Sequence, residues 1–143
     1  DTIIPSREMK STGKTGLADG LFAPWRYADA ARTPDPGFVL NRPQFAGAQI
    51  LLAGKNFGCG SSREHAVWAL LEFGIRCVVA ESFAPIFFNN CVCNGLLPVV
   101  LGSEEIAALA GRTVEVDLEE QSIDGHVFEI GAEAKTMLLK GLD

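Results

Sequence analysis

Residues able to do chemistry are concentrated in one stretch, Gly54 to Ala69, which reads GKNFGCGSSREHAVWA. It brings together a thiol (Cys59), two hydroxyls (Ser61, Ser62), a guanidinium (Arg63), a carboxylate (Glu64) and an imidazole (His65). The apolar run Ala48 to Ala53 before it reads as a strand, and a helical pattern starts near Ser61. Between them lies a loop with glycines at 54, 58 and 60. A helix N-terminus presents free N–H groups and the positive end of the helix dipole, which favour an anion. Glycines such as Gly60 admit positive φ and let a ligand approach the backbone closely. Arg63, in the first helical turn, adds a fork of donors matched to a carboxylate or phosphate. Gly60, Ser61, Ser62 and Arg63 therefore read as an anion cradle with two hydroxyls beside it.

A purely structural reading competes for the same residues. Ser61-Ser-Arg-Glu64 fits S-x-x-E, a capping box in which Ser61 is the N-cap and Glu64 reaches back to its N–H. The glycines and the arginine are not required by such a cap, and the two readings stay open side by side. Nucleotide patterns fail. A P-loop needs a lysine directly before the hydroxyl residue, where this chain has Gly60, and the third glycine of G-x-G-x-x-G would fall on Arg63.

The elements that must position this stretch follow from composition and pattern. A chain of 143 residues that is 48% hydrophobic can build one domain with a core. A net charge of −6, with no basic stripe, argues against a nucleic-acid partner. Apolar runs fall well short of the roughly 20 residues that span a bilayer. No secretory signal is visible, and Cys59, Cys77, Cys91 and Cys93 sit in apolar or glycine-rich settings, so free thiols in a reducing cytoplasm are expected.

Thr2 to Pro5 is a short apolar run, and Ser6 to Gly47 is a long, Gly- and Pro-rich stretch anchored by Phe22, Trp25 and Phe38. After the first strand, the pattern predicts a helix from Ser62 to Glu72 stopped near Gly74, then a strand from Ile75 to Ala80. A helix from Phe83 to Asn90, stopped by Asn94-Gly95, leads to a strand from Leu96 to Leu101 whose Pro98 argues for a sheet edge or a bulge. Ser103 is expected to cap a helix from Glu104 to Ala110. A strand from Thr113 to Leu118, an Asp124-Gly125 hairpin turn, a strand from His126 to Ile130 and a helix from Ala132 to Lys140 complete the chain. The order is α/β, with parallel strands in the middle and a hairpin near the end.

GKNFGCGSSREHA, followed by a strand and then by SFAPIFFNN and NGLLPV, resembles the small subunits of 3-isopropylmalate dehydratase. These correspond to the swivelling C-terminal domain of aconitase. DTIIP, GLADGLFAPWR and the terminal KGLD extend the resemblance over almost the whole chain, and DTIIP and LFAPWR point to the isopropylmalate branch. Family members carry a further segment before DTIIP and residues beyond GLD, so the expectation is one swivelling domain over 1–143, truncated at both ends.

The resemblance implies a partly closed sheet flanked by helices, with the SSRE loop at a strand C-terminus facing a large-subunit cleft. It implies that Ser61 is the base that removes and returns a substrate carbon proton, and that Ser62 and Arg63 hold a substrate carboxylate. It places substrate choice in the segment that begins Arg7-Glu-Met-Lys10, where Met9 would meet an apolar group and Arg7 or Lys10 a carboxylate. The implied reaction exchanges 2- and 3-isopropylmalate in leucine synthesis by loss and re-addition of water. A [4Fe–4S] cluster on the large subunit acts as the Lewis acid. The spacing of the four cysteines does not match cluster ligation, so no metal is expected on this chain. His65 is expected to be a hydrogen-bonded structural histidine, and Phe83, Phe87 and Phe88 core or interface. Two alternatives remain: a related hydro-lyase acting on citraconate or a methyl-substituted malate, and a carboxylate-binding module without chemistry.

Overall fold

The computed structural model describes residues 3, 18, 21–27, 38, 41, 47–59 and 64–141, with Pro24 and Trp25 described by their backbone alone. A single turn, α1 (Ala23–Arg26), comes first, in the region where the sequence predicts no helix. Three strands follow, β1 (Ile50–Leu52), β2 (Cys77–Ala80) and β3 (Leu97–Val100), side by side in that order and all parallel. Parallel neighbours need crossover connections. Here these contain α2 (His65–Phe73) and α3 (Pro85–Asn94).

Both crossover helices stop in the same way. Gly74 (φ 113°) and Gly95 (φ 82°) take the left-handed conformation, and the next N–H reaches back five residues, Ile75 to Leu70 O at 3.0 Å and Leu96 to Cys91 O at 2.9 Å. This Schellman closure puts a fully buried apolar residue, Ile75 or Leu96, just ahead of the next strand. The stops expected near Gly74 and Gly95 are therefore present. Pro98 lies on β3, at the edge of this sheet among the described strands, opposite Val78.

β2 is buried on both faces, which explains its unbroken apolar run. Val78 joins a cluster with Leu21, Phe22, Val67, Leu70, Phe87 and Cys91. Cys77 and Val79 join another with Val92, Val99, Leu109, Ile123, Phe128 and Leu138. Helix α3 thus serves two cores, Phe87 and Cys91 on one side and Val92 on the other. Of the Thr2 to Pro5 run, Ile3 alone is among the described residues; it is buried and accepts the Phe22 N–H at 2.6 Å. Phe22 is buried and Phe38 packs against the same cluster, as expected of anchors.

The C-terminal third has α4 (Ser103–Leu109), an antiparallel sheet of β4 (Val116–Asp117), β5 (Ser122–Ile123) and β6 (His126–Val127), and α5 (Ala132–Gly141). Asp124 (φ 47°) and Gly125 (φ 83°) form the expected two-residue hairpin turn, with Ile123 opposite His126. Its first arm is β5, which the sequence pattern does not reveal, while the predicted Thr113 to Leu118 strand contributes only Val116–Asp117. A turn at Leu118 to Gln121 (Gln121 φ 54°) reverses the chain before a longer strand can form. At α4 the N-cap is Gly102, whose N–H donates to Glu105 Oε1 at 3.3 Å, so Ser103 is the first helical residue and not the cap.

Candidate active site

The β1–α2 and β2–α3 connections leave the parallel sheet at the same edge, beyond the C-terminal ends of its strands. Open α/β sheets bind ligands at this edge. The first connection is fastened to the second. Asn56 N–H donates to Ser82 Oγ at 2.8 Å, Phe57 N–H to Ser82 O at 3.0 Å, and Ala84 N–H to Phe57 O at 3.0 Å. Phe57 meets Phe83 and Phe87 edge to face, with centroids 6.3 and 5.4 Å apart. Gly58 has φ 89°, and a Cβ there would stand 2.2 Å from Phe87 Cγ. The loop is thus clamped as far as Gly58, and Cys59 after it is exposed.

On the far side of the motif, α2 begins at His65, with Glu64 as N-cap. The first turn closes through Trp68 N–H to Glu64 O at 3.0 Å. The helix expected from Ser62 therefore starts later, and Glu64 does not occupy the third helical position that a capping box with Ser61 requires. Glu64 Oε2 accepts instead from Asn94 Nδ2 at 2.8 Å. Asn94 Nδ2 also donates to Asn90 O at 2.8 Å, and Asn94 Oδ1 accepts from Trp68 Nε1 at 3.0 Å. The His65 ring lies against Trp68, centroids 4.9 Å apart. Its Nδ1 is buried without a hydrogen-bond partner, unlike the bonded structural histidine expected from the sequence.

Gly60, Ser61, Ser62 and Arg63 lie outside the described residues, as do Arg7, Met9 and Lys10 of the expected specificity segment. What the structure places is their frame. A shallow depression of about 300 Å³ opens at the same sheet edge, lined by Glu81, Ser82, Phe83, Phe88, Asn89 and Val100 among others. Phe87 is fully buried, and Phe83 and Phe88 pack on the core, in keeping with the core reading of all three. Ser82, Trp68 and Asn94 are parts of the frame that sequence reasoning passed over. Asn94 reads there only as a helix stop, and its side-chain partners are distant in the chain.

The four cysteines are free thiols. Burial pushes the Cys77 thiol up to about 12, and burial together with the neighbouring Cys77 pushes Cys91 higher still. Metal ligation needs the thiolate. Two of the four are therefore poor donors, and among the described residues no group of three or more His, Cys, Asp or Glu side chains is placed to hold a metal ion. This donor set does not fit a [4Fe–4S] cluster. No helix among the described residues is long and apolar enough to cross a membrane.

Comparison with known proteins decides the family. Residues 1–104 match the aconitase C-terminal domain family. The 3-isopropylmalate dehydratase small subunit of Cupriavidus necator is 57% identical over 157 aligned positions, covering 100% of this chain and 76% of that protein. The chain belongs to the 3-isopropylmalate dehydratase small-subunit family. The Dinoroseobacter shibae member is 52% identical, with 100% of this chain and 77% of that protein covered. A crystal structure of 3-isopropylmalate dehydratase from Methanocaldococcus jannaschii shares the fold at a TM-score of 0.70 and 30% identity, over 99% of this chain and 80% of that one. The family is that of a hydro-lyase, and its small-subunit name implies a larger partner. The aconitase match takes in all three parallel strands and both crossover helices that frame the motif, and ends within α4.

Proposed function

We propose that this chain is the small subunit of a heteromeric hydro-lyase interconverting 2- and 3-isopropylmalate, to which it contributes the base and a carboxylate cradle. Ser61 takes the proton from substrate carbon as the hydroxyl on the adjacent carbon departs, leaving an alkene, and returns a proton when water adds in the opposite sense. Ser62, Arg63 and the Gly60 backbone hold a substrate carboxylate during both halves. Arg7, Met9 and Lys10 meet the remainder of the substrate and set its identity. The Lewis-acid [4Fe–4S] cluster belongs to the large subunit in this reading, which the burial of Cys77 and Cys91 supports.

A serine hydroxyl is a weak base, so the alkoxide has to be stabilised where it forms. The N-terminal end of α2 and the Arg63 guanidinium supply positive potential for that purpose. One observation carries the reading: Glu64 is the N-cap of α2 and its carboxylate accepts from Asn94, so Glu64 does not stand at the third helical position that a Ser61 capping box requires.

The test is reconstitution. Mixed anaerobically with a cluster-loaded large subunit, the chain should turn over 2-isopropylmalate, seen as alkene absorbance, in preference to citraconate, while the lone chain is inert. If no large subunit restores turnover and the lone chain still binds dicarboxylates, the binding-module alternative replaces it.

A further inference from the structure

We infer that Asn94 on helix α3 is a positioning residue for the Ser61–Arg63 segment, because it holds Glu64, the residue that directly follows it. This inference rests on the Ser61 reading above. Earlier in the same connection, the Phe87 ring leaves no room for any side chain at position 58. At the far end, Asn94 holds Glu64, the residue directly after Arg63. Phe87 and Asn94 are seven residues apart on α3, two helical turns, so they share one face roughly 10 Å apart along the axis.

The far grip is a closed circuit. Trp68 N–H donates to Glu64 O, Trp68 Nε1–H to Asn94 Oδ1, and Asn94 Nδ2–H to Glu64 Oε2. Indole is a donor only, which forces the Asn94 carbonyl towards Trp68 and its amide towards Glu64. The second amide hydrogen goes to Asn90 O, so the side chain cannot turn over without losing all of its bonds. Glu64 is itself exposed and adds no apolar burial to the fold. A four-group arrangement at so little benefit to the core is accounted for by what it holds in place.

The experiment measures kcat and KM for 2-isopropylmalate in the enzyme reassembled with its cluster-loaded large subunit. Asn94→Ala and Glu64→Ala should each lower kcat by about 100-fold, the scale of a misplacement near 1 Å, with little change in KM. The double variant should be no worse than the poorer single one, since both remove one connection. Glu64→Gln, whose amide oxygen still accepts from Asn94, should recover most of the lost turnover. Independent, multiplying losses, a wild-type kcat for Asn94→Ala, or a Glu64→Gln as poor as Glu64→Ala would each overturn the inference. Should Asn94→Ala fail to assemble, Asn94→Ser and Glu64→Ala carry the same expectation. Ser61→Ala is measured alongside. If it is inert while Asn94→Ala is unimpaired, the clamp alone is wrong; if it turns over normally, the reading of Ser61 is wrong.

Discussion

Replacing Gly58 with alanine tests how the motif is held. A Cβ at this position would lie 2.2, 2.4 and 2.6 Å from Phe87 Cγ, Cβ and Cδ2. Phe87 cannot swing aside, because it is fully buried and flanked by Phe57 and Phe83. Holding alanine at φ 89° costs roughly 1–2 kcal/mol, and forcing a methyl into a filled core roughly 1–3 more. The alternative is for the loop to lift away. That gives up the three bonds made by Asn56, Phe57 and Ala84 to the neighbouring connection, at about 1 kcal/mol each. Either route costs about 2–5 kcal/mol, or a fall in Tm of about 6–15 °C for a domain of this size. Gly125→Ala is the control. Its φ of 83° is nearly the same, but nothing lies within 4 Å of the added methyl, so only the backbone cost of about 1–2 kcal/mol should appear. Thermal unfolding followed by circular dichroism reads both, and turnover in the assembled enzyme should fall for Gly58→Ala alone. Equal melting temperatures for the two variants would refute the argument that Phe87 sets the loop.

The thiols should separate into two classes. At pH 8, Cys59 and Cys93 should react with a disulfide reagent in the folded chain, and Cys77 and Cys91 only after unfolding, as mass mapping of the labelled sites would reveal. Because burial raises the Cys77 thiol from 9.0 to about 12 and moves Cys91 in the same direction, their contribution to stability is fully present below about pH 9. Above that, the unfolded chain ionises first, and stability should be lost as pH rises towards 12, by up to about 1.4 kcal/mol per pH unit for each thiol. Urea midpoints at pH 8 and pH 10.5 would check this, and Cys77→Ala should flatten the slope. Arg63→Lys keeps the charge and loses the two-pronged fork, so KM for 2-isopropylmalate should rise by roughly 10-fold or more in steady-state assays.

Several elements were legible because a local signal had a single structural use. Gly74 and Gly95 end helices since glycine alone takes the required φ without strain, and Asp124-Gly125 makes a hairpin turn for a related reason. The apolar runs around β2 and β3 are strands because both faces of the sheet are covered. Signals with two uses misled. S-x-x-E at Ser61 leaves a capping box open beside an anion cradle, whereas Glu64 is the N-cap of α2 and its carboxylate accepts from Asn94, 30 positions away. β5 pairs through Ser122 and Ile123 alone, too few residues to establish a period of two. The motif of the candidate site stood out in the sequence. Its supports did not, since Ser82, Phe87 and Asn94 acquire their roles from contacts that only folding brings about.

The most direct measurement is exchange of the substrate carbon proton with solvent deuterium, by proton NMR, in the assembled enzyme carrying Ser61→Ala. Loss of a positioned base should slow exchange by at least about 100-fold relative to the unsubstituted enzyme, with 2-isopropylmalate still binding within a few-fold of its usual affinity. Exchange at the unsubstituted rate would mean that another group removes the proton.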